Sequence, residues 1–180
     1  NRIIAKRFDK EFFDGDRVNG YGGYTYDGRW KSVVNNLKEI YNINSESSVL
    51  DIGCAKGFLL YDLQDMILGI KIAGIDISNY ALNHALDGHK DSKAKEKVLP
   101  FMIEGSADNL PYPDNSFDVV LNINTIHNLP LERCKKAIKE MIRVSKNKKK
   151  MFIQVDAYKN DDEKELMQAW NLTGLTILHV

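Results

Sequence analysis

Val49-Leu50-Asp51-Ile52-Gly53-Cys54-Ala55-Lys56-Gly57 decides the fold. It reads as a short apolar strand that ends in glycine and turns through small residues into a helix. Gly53 permits tight backbone geometry, and Gly57 lets the helix approach the strand. The small side chains leave room for a ligand lying on the backbone. Asp51 restricts what that ligand is. A dinucleotide places its pyrophosphate at such a helix N-terminus, and a carboxylate at the strand end repels it. A cationic group is attracted: a carboxylate about 5 Å from a cation, at an effective dielectric near 20, gains roughly 3 kcal/mol before desolvation. The segment also lacks the G-x-G-x-x-G pattern, which weakens a nicotinamide reading. The bland alternative is a generic strand-to-helix turn with an Asp cap.

Downstream, apolar strands alternate with helices. Phe58, Leu59, Leu60, Leu63, Met66 and Ile67 form an apolar helix face. Ile70 to Ile77 reads as a second strand, and Ser78 as the N-cap of a helix carrying Ala81, Leu82, Ala85 and Leu86. Leu99 to Ile103, Phe117 to Ile123 and Met151 to Val155 read as three more strands, with a helix from about Leu131 to Val144. The order β-α-β-α-β-β-α-β, with strands apolar enough to be buried on both faces, predicts an α/β fold: a mostly parallel sheet with helices on both sides. Ligands of such sheets bind beyond the C-terminal strand ends, near the switch point.

Two further segments stand in register with the first. Asp76 ends Ile72-Ala73-Gly74-Ile75-Asp76-Ile77-Ser78, about twenty residues after the glycine turn, where an acid accepts hydrogen bonds from ribose hydroxyls. Glu104-Gly105-Ser106-Ala107-Asp108-Asn109-Leu110-Pro111-Tyr112 then leads into Asn115-Ser116-Phe117-Asp118-Val119-Val120. In this order and spacing, the three segments resemble the class I S-adenosylmethionine-dependent methyltransferases, specifically their type 11 small-molecule group, over about Ser48 to Val155. The resemblance implies a Rossmann-like methyltransferase sheet, S-adenosylmethionine as cofactor (S-adenosylhomocysteine as product) and a small-molecule acceptor. It implies that Asp51, Gly53, Cys54, Ala55 and Gly57 wrap the methionyl part. Asp76 would bind ribose, with Ile77 packing on adenine. Ser106, Ala107 and Asp108 would read the adenine edge, and the Asn122 carbonyl would face the ammonium. Two positions depart from the family's pattern. Ala55 replaces its middle glycine, and Ser106 its frequent Asp, so either Ser106 or Asp108 is left to meet the adenine amine.

The first 45 residues are expected to form a lid segment and a helix, with 46–180 as the cofactor-binding core of one domain. Asp14 to Trp30, DGDRVNGYGGYTYDGRW, suits irregular structure. Tyr21, Tyr24, Tyr26, Arg29 and Trp30 are lid candidates, offering aromatic walls and a cation for the cofactor carboxylate or an anionic substrate; the alternative is that these rings cover the sheet edge. YGGYTYDGRW also suggests surface-polysaccharide or other secondary biosynthesis, with oxygen as the first acceptor considered and nitrogen the second. His127 follows the fourth strand and is the candidate general base, or else a core or capping histidine. Asp156, after the fifth strand, is a substrate-contact candidate. No His/Cys/Asp cluster has metal-ligand spacing.

Composition bounds the alternatives. The 25 basic and 25 acidic residues of the 180 cancel, against a dedicated nucleic-acid binder. Lys146 to Lys150 reads as a solvated turn. No run of about 18 apolar residues exists to span a membrane, and Cys54 and Cys134 are too few for a disulfide framework, which suggests a cytoplasmic setting. Cys134 lies on an apolar stripe and reads as a buried thiol. Asp161 to Leu172 reads as a helix and Thr173 to Val180 as room for one strand; the resemblance implies two strands after the fifth, so a C-terminal part is expected to be missing. The rival readings are a non-catalytic methyltransferase-like binding module and a nucleotide-dependent oxidoreductase or isomerase.

Overall fold

The structure, a computed structural model, describes residues 2–170. Five strands, β1 (Ser48–Ile52), β2 (Lys71–Asp76), β3 (Met102–Glu104), β4 (Val119–Ile123) and β5 (Met151–Gln154), form one sheet in the order 3-2-1-4-5, with every pairing parallel. Around them lie α1 (Arg2–Ala5), α2 (Lys10–Phe13), α3 (Trp30–Tyr41), α4 (Phe58–Met66), α5 (Asn79–Asn83), α6 (Ala94–Val98), α7 (Leu131–Val144) and α8 (Asp161–Trp170). The alternating pleat of β1 and β4 explains both layers. Val49, Val119 and Leu121 pack with Val34 and Leu37 of α3, Leu59 and Leu63 of α4 and Val98 of α6. Leu50, Ile52 and Val120 pack on the opposite side with Ala137, Met141 and Val144 of α7. The chain leaves β1 toward one edge and returns to the other side at β4, so the switch point falls where these two strands end side by side.

Several local expectations are corrected. Leu99–Phe101 is a 3-10 turn, and β3 starts only at Met102; Pro100 has no N–H to give to a ladder. The short helix α6 before it was not anticipated. Ser78 does cap α5, its Oγ accepting the Ala81 N–H at 3.0 Å, but that helix ends at Asn83 because Leu86 turns left-handed and donates its N–H to the Lys56 carbonyl. β5 is an edge strand, half-buried to exposed rather than buried on both faces. Asp14 to Arg29 is irregular, as expected, and two short helices not anticipated, α1 and α2, precede it. Cys134 is half-buried. The expected strand within Thr173 to Val180 lies outside the described residues.

Candidate functional site

The loop after β1 is held first by backbone hydrogen bonds. Gly53 and Cys54 both donate to the Ile75 carbonyl, at 2.7 and 3.2 Å, and Gly57 donates to the Cys54 carbonyl at 2.8 Å. Gly53 has φ +83°, and a Cβ there would lie 2.0 Å from Thr125 Oγ1. The loop after β4 is therefore packed against the loop after β1 as closely as glycine allows. Ala55 adopts a left-handed φ of 48°, which costs an L-residue about 1–2 kcal/mol. A partner holds it there: its N–H donates to Asp76 Oδ2 at 2.8 Å, while Asp76 Oδ1 accepts the Ser78 N–H at 2.8 Å. One carboxylate thus ties the loops after β1 and β2 together. Gly57, behind this turn, contacts Met102 and lets α4 close on the sheet.

These loops open onto a cavity of about 320 Å³, of the size that takes a small organic ligand. Asp51, Gly53, Cys54, Ala55, Asp76, Ile77, Ser106 and Ala107 line it, as the sequence anticipated. Asp51 is 5 % exposed. Burial first, and the Asp76 charge second, push its carboxyl up to about 7. Burial raises Asp76 as well, though the N–H groups of Ser78 and Ala55 oppose the shift. Asp108 is not in the lining. Its carboxylate receives Arg133 of α7, Nε at 2.7 Å and a terminal nitrogen at 2.9 Å, and the Ser106 hydroxyl donates to it as well. The guanidinium holds Asp108 well below the usual carboxylate range. Of the two adenine-edge candidates, only Ser106 therefore reaches the cavity.

The N-terminal segment forms the facing wall. Tyr21, Tyr24, Arg29 and Trp30 line the cavity, joined by Phe8, Phe12 and Phe13, which the sequence reading missed. Tyr24 stacks on Phe58 with centroids 4.8 Å apart. Tyr26, one residue pair further on, is elsewhere: its hydroxyl donates to Asp62 at 2.5 Å, and its ring packs on Phe58, Tyr61 and His89. The wall is anchored by a buried ion pair. Lys56, 5 % exposed, puts Nζ 2.7 Å from both oxygens of Asp14, which also accept the Tyr80 hydroxyl at 2.8 Å and the Tyr24 N–H at 3.2 Å. Burial alone would raise the Asp14 carboxyl, but these hydrogen bonds outweigh it and hold the group below its ordinary value. Arg29 pairs with Asp27 at 2.6 Å and is largely exposed.

At the end of β4, Ile123, Asn124, Thr125, Asn128 and Leu129 line the cavity. Asn122 does not. It is fully buried, its Nδ2 donating to the Ile52 carbonyl at 3.1 Å and its Oδ1 accepting the Ile126 N–H at 3.3 Å, so its side chain braces the β1–β4 seam. His127 and Asp156 are also absent from the lining. The short turn Ile126–Asn128 buries Ile126 and His127, and the His127 Nδ1 accepts the Asp156 N–H at 3.3 Å. His127 therefore stands with the candidate's core alternative rather than as a general base at the cavity.

A family profile described as a methyltransferase domain matches residues 50–153, which holds most of β1 through most of β5 and every loop at the cavity floor. The chain belongs to the methyltransferase-domain family. S-adenosylmethionine is the methyl donor of that family. Among similar proteins, norajmaline N-methyltransferase of Rauvolfia serpentina is 36 % identical over 98 residues, 54 % of this chain and 32 % of that protein. Demethylmenaquinone methyltransferase of Bacillus licheniformis is 27 % identical over 140 residues, 77 % of this chain and 56 % of that protein. The chain thus spans about a third to somewhat over half the length of these relatives. The crystal structure of a candidate S-adenosyl-L-methionine-dependent methyltransferase from Methanococcus maripaludis superposes with a TM-score of 0.59 at 19 % identity, covering 78 % of this chain and 61 % of that one, a likeness of fold. Among the described residues of this methyltransferase-domain chain, no helix is long and apolar enough to cross a membrane.

Proposed function

We propose that this methyltransferase-domain chain binds S-adenosylmethionine in the cavity at the β1–β4 switch point and catalyses methyl transfer to a small-molecule acceptor. The observation that carries the reading is the charge of the cavity floor. A buried carboxylate, Asp51, and a half-buried one, Asp76, stand at the C-terminal ends of adjacent strands, and among the described lining residues the one cation is Arg29, exposed and already paired. A pyrophosphate would meet repulsion there, whereas an ammonium or sulfonium would meet its counter-charge.

The donor set suits the cofactor part by part. Asp51 would hold the ammonium. Asp76 accepts one N–H on each oxygen and keeps lone pairs for a ribose diol. Ile77, 53 % exposed, and Ala107 offer apolar surface to adenine, with Ser106 at its polar edge. Bound there, the cofactor supplies an electrophilic methyl on a sulfonium whose departure leaves a neutral thioether. What remains for the chain is to hold the acceptor in line and keep water out. Tyr21, Tyr24 and Trp30 serve that purpose in this reading. The described lining contains no His or Lys, and its carboxylates are Asp51 and Asp76.

Calorimetry with S-adenosylmethionine, S-adenosylhomocysteine and NAD, on the wild type and Asp76→Ala, tests the reading. The expected result is micromolar binding of the two sulfur compounds, lost in the variant, and none of NAD. NAD binding, or sulfur-compound binding indifferent to Asp76, would overturn it.

A further inference from the structure

The half of the cavity not drawn from the ends of β1, β2 and β3 carries its own chemical signature. Its walls are Phe12, Tyr21, Tyr24 and Trp30 on one side and Ile123 and Leu129 on the other. Its polar side chains are Thr25, Arg29, Asn124, Thr125 and Asn128, with the Tyr21 and Tyr24 hydroxyls, and of these Arg29, Asn124, Thr125 and Asn128 are bonded within the protein. Thr125 Oγ1 donates to the Ile123 carbonyl at 3.1 Å, and Asn128 Nδ2 lies 3.4 Å from the Asn124 carbonyl. The Arg29 guanidinium is bound to both oxygens of Asp27, Nε at 3.0 and 2.8 Å.

We infer that this half is an acceptor subsite for a neutral, largely apolar ring compound, and that it discriminates against anionic and polyhydroxylated acceptors. The inference rests on the methyl-transfer reading and names its substrate class. A phosphorylated or carboxylated acceptor would enter a cavity whose fixed charges are two carboxylates, with no free cation in the described lining to offset them. A sugar would surrender its hydrogen bonds to water and find the Thr125 hydroxyl and one Asn128 N–H already bonded within the protein, and every hydroxyl left without a partner there weakens binding. A flat apolar ring loses little water and gains offset or edge-on ring–ring contact beyond what burial alone supplies. The aromatic wall is preformed for this: Tyr21 and Tyr24 stand 4.4 Å apart, and Phe12 meets Tyr21 edge-on at 5.2 Å. The lining therefore favours a ring over the surface-polysaccharide setting suggested by the sequence.

The test uses the full chain saturated with S-adenosylhomocysteine and three probes: 1-naphthol, 1-naphthyl phosphate and methyl glucoside. Binding of each is measured by calorimetry, with wild type and Trp30→Leu side by side. The expected result is 1-naphthol binding at least about tenfold tighter than its phosphate, no heat from the glucoside, and a several-fold loss of naphthol affinity in the variant. Equal or tighter binding of the phosphate or the glucoside, or no naphthol binding, would overturn the inference. S-adenosylhomocysteine binding, recorded first, separates the two readings. If it occurs while the probe ranking fails, the acceptor class is wrong and the cofactor reading stands. If it fails while naphthol is still preferred, the ring subsite stands and the cofactor reading falls.

Discussion

Asp51→Asn should make the ligand-free protein more stable at alkaline pH while weakening cofactor binding. In the folded chain the Asp51 carboxyl is pushed from its ordinary 3.8 to about 7, by burial and then by Asp76. Between about pH 4 and pH 7 the folded state therefore holds a proton that the unfolded chain has released, and stability falls as pH rises through that window. A displacement of that size corresponds to at most about 4 kcal/mol. Burying the Asn amide takes back part of the gain, so about 1–3 kcal/mol should remain at pH 8. Well below pH 4 the benefit disappears because Asp51 is then neutral in both states. Urea unfolding of wild type and variant at pH 5 and pH 8 measures the difference. Binding should move the other way: wild-type affinity for S-adenosylhomocysteine rises from pH 6 to pH 8 as Asp51 ionises, and the Asn variant is weak and flat across that range. A variant less stable than wild type at pH 8, or one that keeps wild-type binding and its pH dependence, would refute the electrostatic account of the cavity floor.

Asp14→Asn leaves the Lys56 ammonium buried without an anion and should cost about 2–4 kcal/mol, somewhat below a fully buried pair because the Asp14 side chain is 26 % exposed. The Asp14 carboxyl lies below its ordinary value, so its contribution is present at neutral pH, and the gap between variant and wild type in urea unfolding should narrow as pH falls below about 4. Gly53→Ala places a methyl on Thr125 at positive φ and should cost about 2–4 kcal/mol by thermal unfolding while abolishing S-adenosylhomocysteine binding. Ala55→Gly should do the reverse: relief of left-handed strain outweighs the added unfolded-state entropy by up to about 1 kcal/mol, with binding retained in calorimetry.

The sheet and the cavity floor were legible because they rest on short-range rules. The strand–Asp–Gly turn, the second strand ending in Asp76 and the Ser78 cap each occupy a few consecutive residues. What the sequence concealed depends on partners far away in the chain. Ser106 and Asp108 are equally good candidates in the sequence; Arg133, on a helix 25 residues beyond Asp108, binds both, and only Ser106 also lines the cavity. Tyr24 and Tyr26 look alike in the motif, but Asp62 on α4 takes Tyr26 out of the site. His127 and Asn128 are neighbours on one tight turn, and only the turn's rotation decides which meets the cavity. Phe8, Phe12 and Phe13 carried no motif at all. The one available signal was a cluster of aromatic residues in a segment too short for a core of its own.

The bond between Lys56 and Asp14 bears on where this protein can be cut. The lysine belongs to the central glycine turn, and its counter-ion arrives from residues that look like a detachable leader. Removing that leader, or grafting one from a relative that lacks the acid, would strand a positive charge in the interior at the base of the site. Ser78, donating to the Phe8 carbonyl at 2.5 Å, adds a second stitch along the same seam. The N-terminal segment is thus heritable only together with the turn it neutralises. Chimeras that exchange one without the other should lose stability as Asp14→Asn does, while exchanges that carry residues 14, 56 and 80 as a set should keep it.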